Sequence, residues 1–333
     1  MYQKIQDAKL KTGESVELGV VLGPATPELA ASMRALLGHK GEIWKWQIEQ
    51  SLTRADTKVE SRFYILLKDR QPIANICSVE HNGIGIFGHV YTAPAERRKG
   101  AADIIHGHQI ADFKKRGGRA LYLGTGYDTH PFHLYEKHGF KGVEPRSGYM
   151  YWFADNQQSF ERDVFAKAPV RVEPLSFEHW PTLPALAMMN HSARVRIAGM
   201  DVFSIRSTEG GSLPYLVAMH CPEKKDDGFR AFVAVSEKSQ VPVAIACVRP
   251  DPIFELQTDI LDMFCAPGFE DTLRPMVEKL ALLPARTVIC YSDGLWPVKP
   301  KLLADLGFTR EAVLKQHYRS PSQSYDVELW KRV

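Results

Sequence analysis

Runs of apolar residues broken by turn signals divide the first half of the chain into short alternating elements. After a polar tail, VELGVVLG (Val16 to Gly23) has the composition of a buried strand. TPELAASMRALLGHKG then carries helical spacing, with Thr26 as N-cap, Pro27 in the first position and Gly38 near the end. EIWKWQIEQSL predicts a short amphipathic helix bearing Trp44 and Trp46. SRFYILLKDRQP and IANICSVEHNG predict a hairpin about the turn at Asp69 to Pro72, which leads through His81-Asn82-Gly83 into an apolar strand, GIFGHVYT. A helix over 101–116 follows, with Gly117 as its C-terminal cap. ALYLGTG predicts a buried strand, HPFHLYEKHGF a helix stopped by Gly139, and SGYMYWFA a strand. The expected order is β-α-α-β-β-β-α-β-α-β.

The polar segment DNQQSFERDVFAKAP (Asp155 to Pro169) predicts a linker with some helix. A second pass through similar elements begins after it. VRVEPLSFEHWPTLPALAMM predicts strand and helix, RAFVAVSEKSQVPVAIACVRP a hairpin, and TDILDMFCAPGFEDTLRPMVEKL strand, turn and helix. TVICYSDG, PKLLADLGF and SYDVELWKRV close the series as strand, helix and strand. VYTAPAERRKGAA of the first half aligns with MFCAPGFEDTLRP of the second, and LYEKHGF with LLADLGF.

At 333 residues the chain exceeds the size at which one core keeps growing, which agrees with two domains. Its 44% hydrophobic and 24% charged residues are those of a soluble globule. No apolar run spans a bilayer, and the first residues lack the apolar centre of a signal peptide, so a cytoplasmic protein without membrane contact is expected. Five scattered cysteines (Cys77, Cys221, Cys247, Cys265, Cys290) lie mostly in apolar runs and are expected to be reduced. The net charge is +3, with 21 Lys and Arg against 17 Asp and Glu in residues 1–160, and 21 against 22 afterwards. That excess forms no long basic stripe, so nucleic acid is not the expected partner.

Much of the excess sits at one turn. Arg97, Arg98 and Lys99 precede Gly100, Ala101 and Ala102 at the start of a helix, where the first N–H groups lack intrahelical partners and the dipole adds positive charge. A phosphate-bearing ligand suits that turn. Arg97-Arg98-Lys99-Gly100-Ala101-Ala102, between an apolar strand and an amphipathic helix, resembles the pyrophosphate loop (Gln/Arg)-x-x-Gly-x-(Gly/Ala) of the GCN5-related N-acetyltransferases, the GNAT superfamily. HLYEKHGF (His133 to Phe140) resembles that family's second motif, and the two occur in the family's order. The resemblance covers residues 15–155. It implies an α/β (α+β) fold of two tandem acetyltransferase-type domains, each a mixed twisted sheet flanked by helices: a catalytic domain over 1–155, a linker over 156–169 and a degenerate copy over 170–333. In the copy Glu270 stands for Arg97, Leu273 for Gly100 and Leu303 for Tyr135. A carboxylate repels a pyrophosphate, and a leucine side chain is expected to block its approach to the backbone, so the second copy is expected to keep the fold without the cofactor.

The resemblance further implies acetyl transfer from acetyl-CoA to the primary amine of a small molecule by direct attack, with no metal. The backbone of Val90, Tyr91 and Thr92 would pair with the pantetheine arm, and the Val90 N–H would polarise the thioester carbonyl. Tyr135 occupies the position of the general acid. A phenol of pKa ~10 donating to a thiolate whose acid has pKa ~8.5 works uphill by about 2 kcal/mol, so hydrogen bonding to sulfur is its expected contribution. His89 is the candidate base, on the strand face expected to be shared by Phe87 and Tyr91; Glu80 and His81 at the preceding turn are solvent-facing rivals. His130, His133 and His138 are spaced for one helix face, yet no cysteine or well-placed carboxylate completes a metal site. Asp128 and Pro131 depart from the residues common in the second motif. Trp44 and Trp46 fall where the family caps its acceptor pocket. Two other readings stay open: an acyltransferase for peptide or protein amines, and a non-catalytic acyl-CoA-binding module. A homodimer is compatible with each.

Overall fold

The computed structural model describes residues 1–206, 209–254, 257–320 and 323–332. The chain divides into two compact units, the first Met1–Lys141 with Met150–Asn156, the second Gly142–Tyr149 with the chain from Gln157 onward.

The first unit is organised on an eight-stranded mixed sheet in the order β1-β2-β3-β4-β5-β6-β8-β7. Its elements are β1 (Tyr2–Lys9), β2 (Ser15–Leu22), α1 (Pro27–Leu37), α2 (Glu42–Thr53), β3 (Glu60–Lys68), β4 (Gln71–His81), β5 (Ile84–Thr92), α3 (Ala101–Lys115), β6 (Ala120–Gly124), α4 (His130–Lys137), β7 (Lys141–Gly142) and β8 (Tyr149–Phe153). The expected polar tail is instead an edge strand. β1 pairs antiparallel with β2 from Tyr2 opposite Val21 to Lys9 opposite Ser15. Its solvent-exposed side chains hide it from a hydrophobic pattern, and what secures it is local: the Tyr2 ring lies over the bare Gly19, and its hydroxyl donates to Glu17.

Strands β2 to β5 are joined in antiparallel ladders, and β5 meets β6 in parallel over Ile84–Ile86 alone. Beyond that point two events shape the site. Tyr91 stands opposite Asn75 and Gly88 opposite Cys77, so His89 and Val90 together oppose Ile76 in a β-bulge, with His89 at φ +50°. The ladder to β6 has also ended, so the β6-facing backbone of Val90–Thr92 has no partner in that strand. Against one sheet face, α3 and α4 bury a core of Leu18, Tyr64, Ile76, Phe87, Ile105, Phe113, Phe132, Tyr135, Phe140 and Trp152. Helices α1 and α2 add buried Met33, Leu37, Ile48 and Leu52.

The second unit begins with α5 (Gln157–Val164), a helix within the segment read as a linker, with Phe160 and Val164 buried. Then follow β9 (Val170–Pro174), α6 (Leu183–Ala187), β10 (Val195–Ile197), β11 (Val202–Phe203), α7 (Leu213–His220), β12 (Arg230–Ser236), β13 (Pro242–Pro250), β14 (Thr258–Cys265), α8 (Leu273–Lys279), β15 (Thr287–Ser292), α9 (Val298–Asp305), β16 (Thr309–Arg319) and β17 (Ser324–Arg332). The last residue of the expected closing strand, 333, lies outside the described residues. Seven strands form a second mixed sheet, β16-β17-β15-β14-β13-β12-β9, whose parallel pair is β14–β15. The chain is thus an α/β protein with two large mixed sheets flanked by helices.

All five cysteines are free thiols, four of them buried. Among the described residues no helix is long and apolar enough to cross a membrane.

Candidate active site

The residues of the predicted anion turn come together at one cleft of the first unit. Its volume is about 830 Å³, and it is lined by Val90, Tyr91 and Thr92 at the end of β5, by Glu96, Arg97, Arg98 and Gly100 of the turn, and by Ala101, Ala102 and Asp103 at the start of α3. Lys11 and α4 (His130, Pro131, His133, Leu134, Lys137) supply the remaining walls.

The turn is shaped by backbone conformation. Arg98 and Gly100 both adopt left-handed φ, +64° and +87°, and the first α3 bond is Ile104 N–H to the Gly100 carbonyl at 3.2 Å. The amides of Ala101 to Asp103 therefore have no carbonyl of the helix behind them and face forward as donors. A Cβ at position 100 would meet the Lys11 side chain at 3.0 Å and be strained by its φ, so glycine is the residue that fits.

The charges divide. Arg97 donates from Nε to the Thr92 carbonyl at 3.1 Å and lies 5.8 Å from the centre of the Tyr91 ring, which braces the exposed guanidinium on the end of β5. Arg98 is exposed. Lys99, the third expected cation, does not line the cleft. Its ammonium reaches Glu96 at 2.9 Å and Glu14 at 3.1 Å, so its charge is spent in binding the turn to the β1–β2 loop. Lys11 takes its place at the rim, and its amide donates to the Lys99 carbonyl at 2.9 Å. The sequence offered no signal for Lys11, which lies far away in the chain. Asp103 also enters the cleft wall, and Lys137, then His138, hold its carboxyl below its ordinary pKa, at 2.6 and 2.8 Å.

Of the three α4-region histidines, His130 lines the cleft, and the other two engage different carboxylates. Nδ1 and Nε2 of His133 lie 3.0 Å from Glu136 and 2.9 Å from Asp128, both of which raise its pKa, Glu136 first, while His138 belongs to Asp103. Among the described residues no group of three or more His, Cys, Asp or Glu side chains is arranged to hold a metal. The departure at Asp128 thus serves His133, and α4 starts on the Thr129 hydroxyl, which accepts from the Phe132 N–H at 3.5 Å.

Tyr135 and His89 stand outside the cleft lining. Tyr135 is buried in the core, its ring edge-on to Phe87 at 5.3 Å, in the cluster against which cleft residues Val90 and Leu134 pack. His89 does not share a face with Phe87. The bulge resets the alternation: Phe87 meets His106, Tyr135 and Phe140, whereas His89 lies across the sheet beside Trp44 and Gln47 of α2, and Tyr91 beside His39. Trp44 meets the His89 ring edge-on at 5.5 Å. Of the rivals, Glu80 is not solvent-facing. It is 2% exposed and held by Arg116 in two bonds of 2.7 and 3.0 Å, with Ser78 at 2.5 Å, so its oxygens are committed to structure. His81 is half-buried near the Lys58 carbonyl.

Residues 31–140, from within α1 to the end of the α4 motif, match the model of the acetyltransferase (GNAT) family. The first unit carries a GNAT acetyltransferase domain. Solved structures similar to the chain include a GNAT superfamily phosphinothricin acetyltransferase from Sinorhizobium meliloti in complex with AcCoA, at 14% identity over 49% of this chain and 87% of that one, TM-score 0.37. The spermidine/spermine N-acetyltransferase SpeG from Vibrio cholerae aligns at 15% identity over 51% and 94%, TM-score 0.34. A ribosomal-protein-S5-alanine acetyltransferase from Vibrio fischeri aligns at 16% over 49% and 92%, TM-score 0.35. No curated protein matches the sequence. In the GNAT domain the cleft built by β5, the Gly100 turn, α3 and α4 contains the motif that carried the resemblance.

In the second unit the aligned turn is closed from within. The Gly268 amide donates to Glu270 at 3.0 Å, and the Lys167 ammonium donates to the Gly268 carbonyl. Leu273, at the position aligned with Gly100, is fully buried, as is Leu303 at the position aligned with Tyr135. Glu270 and Lys167 thus engage the donor and the acceptor of the Gly268 backbone from within the chain.

Proposed function

We propose that this chain transfers the acetyl group of acetyl-CoA to the primary amine of a small molecule by direct attack. The observation that carries the reading is the meeting, in one cleft, of a left-handed glycine turn with exposed arginines, a helix start with open amides, and a strand edge with free backbone donors. Diphosphate charge suits the first two, and an extended amide-bearing arm suits the third.

In this reading the amides of Gly100, Ala101 and Ala102 with Arg97 and Arg98 hold the diphosphate, Lys99 fixes the turn, and Val90, Tyr91 and Thr92 pair with the arm. Acetyl-CoA supplies an acetyl group activated as its thioester. The Val90 N–H donates to the carbonyl oxygen as charge develops there, an effect worth roughly 3–4 kcal/mol for a preorganised donor. Tyr135 donates to the sulfur as the carbon–sulfur bond breaks, and His89 takes the proton that the attacking nitrogen sheds. The second unit is a GNAT-like copy that retains the fold without the cofactor, and the protein works in the cytoplasm.

The test is thiol release from acetyl-CoA over a panel of small amines and N-terminal peptides. Turnover with a small amine supports the proposal. Turnover with peptides alone replaces the acceptor class, and tight coenzyme A binding with no turnover across the panel replaces the enzyme with a binding module.

A further inference from the structure

A chain of polar groups crosses from α2 to the β5 bulge. Gln47 is fully buried, with Ile48, Ser51 and Leu52 as the other buried residues of α2. A primary amide in such a place must use its donors and its acceptor. Its Nε2 donates to the Ser51 hydroxyl at 2.7 Å, one turn further along the helix, which turns its Oε1 toward His89 Nε2 at 2.5 Å. An amide oxygen only accepts, so this ring nitrogen carries the hydrogen and Nδ1 carries the lone pair. The ring's place is fixed as well: the Asn75 amide donates to the His89 carbonyl at 2.9 Å, and the bulge holds His89 at positive φ.

We propose that Gln47 is a positioning residue, which by accepting the Nε2 hydrogen holds His89 in the tautomer whose Nδ1 is the free base. This inference rests on the acetyltransferase reading with His89 as the proton acceptor. Trp44 and Gln47 from α2 face the ring, the charges of His39 and Lys40 from the α1–α2 loop act on it, and the Asn75 amide of β4 holds the His89 carbonyl. Burial, then the charges of Lys40 and His39, push the His89 pKa down to about 3, so the ring is neutral at physiological pH and its tautomer decides which nitrogen accepts. The proton moves from the attacking nitrogen to Nδ1 as the nitrogen–carbon bond forms, and passes to solvent afterwards.

Long-range nitrogen–proton NMR spectra of the histidine-labelled full-length protein read the tautomer directly. The expected result is one neutral His89 with Nε2 protonated, a mixture of tautomers in Gln47→Leu, and retention of the Nε2-protonated form in Gln47→Glu, which keeps the accepting oxygen. A wild-type ring protonated on Nδ1, or a tautomer unchanged in Gln47→Leu, overturns the proposal. Should Gln47→Leu fail to fold, Ser51→Ala releases the amide and is expected to give the same mixture; an unchanged single tautomer there overturns it too. In kinetics, Gln47→Leu lowers kcat at least about tenfold with KM for acetyl-CoA unchanged. Gln47→Glu restores much of that loss at high pH and, by raising the His89 pKa with its carboxylate, steepens the fall of kcat toward pH 5 relative to the wild type. A kcat in Gln47→Leu equal to wild type, with the tautomer altered, shows that the tautomer is set by Gln47 but not used, and overturns the catalytic part. If no amine supports turnover at all, the acetyltransferase reading fails while the NMR result still decides the tautomer.

Discussion

The Glu270 carboxylate, which stands where the first half has Arg97, accepts the Gly268 amide at 3.0 Å and so engages a donor of its own turn with the chain's own oxygen. An internal carboxylate is always present and needs no binding entropy, so an external diphosphate competes poorly for that amide and meets like charge as well. Calorimetry is expected to show one coenzyme A per chain. Reversing both Arg97 and Arg98 to Glu should weaken it by at least about a hundredfold, near 3 kcal/mol, and Glu270→Gln should leave stoichiometry at one. A second equivalent bound in the wild type would show that the Glu270 turn does not exclude the ligand.

Tyr135 is expected to matter for rate rather than for binding. Its ring packs on Phe87, Phe140 and His106, and phenylalanine preserves those contacts. Tyr135→Phe should lower kcat by about 10²–10⁴, with KM for acetyl-CoA and the melting temperature little changed. An unchanged kcat would remove the hydroxyl from the mechanism and leave its ring as core.

What the sequence made legible follows from what its patterns encode. Helix α3 and its turn were readable because Gly100, three adjacent cations and an apolar strand each reflect a local requirement that residue type alone can satisfy. β1 was not, because an edge strand with exposed side chains is held by its ladder and by Tyr2 against Gly19, neither of which has a periodic signature. The bulge at His89 was equally hidden: GIFGHVYT reads as an unbroken strand, and the positive φ falls on histidine rather than on either neighbouring glycine, so His89 was assigned to the wrong face. Glu80 looked exposed because its partner, Arg116, comes from the C-terminal cap of α3, 36 residues on. Lys11 and Lys137 reach the cleft through tertiary contacts that spacing along the chain does not carry.

The Glu80–Arg116 pair gives a stability prediction that also separates it from catalysis. Glu80 is almost wholly buried, and Arg116 additionally reaches Asp112 at 2.8 Å. Removing one member leaves an uncompensated buried charge, so Arg116→Met should cost about 3–5 kcal/mol, read as a lower denaturation midpoint. The double variant Glu80→Met/Arg116→Met should recover much of that loss. If Arg116→Met melts like the wild type, the pair is not buried in solution as described.

His106 sets a pH dependence whose sign can be worked out. The side chain is fully buried between Phe87, Tyr135, His138 and Phe140, and neither ring nitrogen has a hydrogen-bond partner among the described residues. Burial, then the neighbouring His138, pushes its pKa down to about 3. The folded state therefore refuses a proton that the unfolded chain accepts near pH ~6.5. Above that pH the residue adds no slope; below it stability falls as pH falls, approaching about 1.4 kcal/mol per pH unit until about pH 3. His106→Leu removes this slope and the two unpartnered nitrogens together. The variant should match the wild type within about 1 kcal/mol at pH 7.5 and exceed it by roughly 1–2 kcal/mol at pH 5, measured by urea unfolding at both values. A difference between the two proteins that does not change with pH would mean that His106 takes up its proton in the folded state as readily as in the unfolded one, and its burial without a partner would then be incorrect.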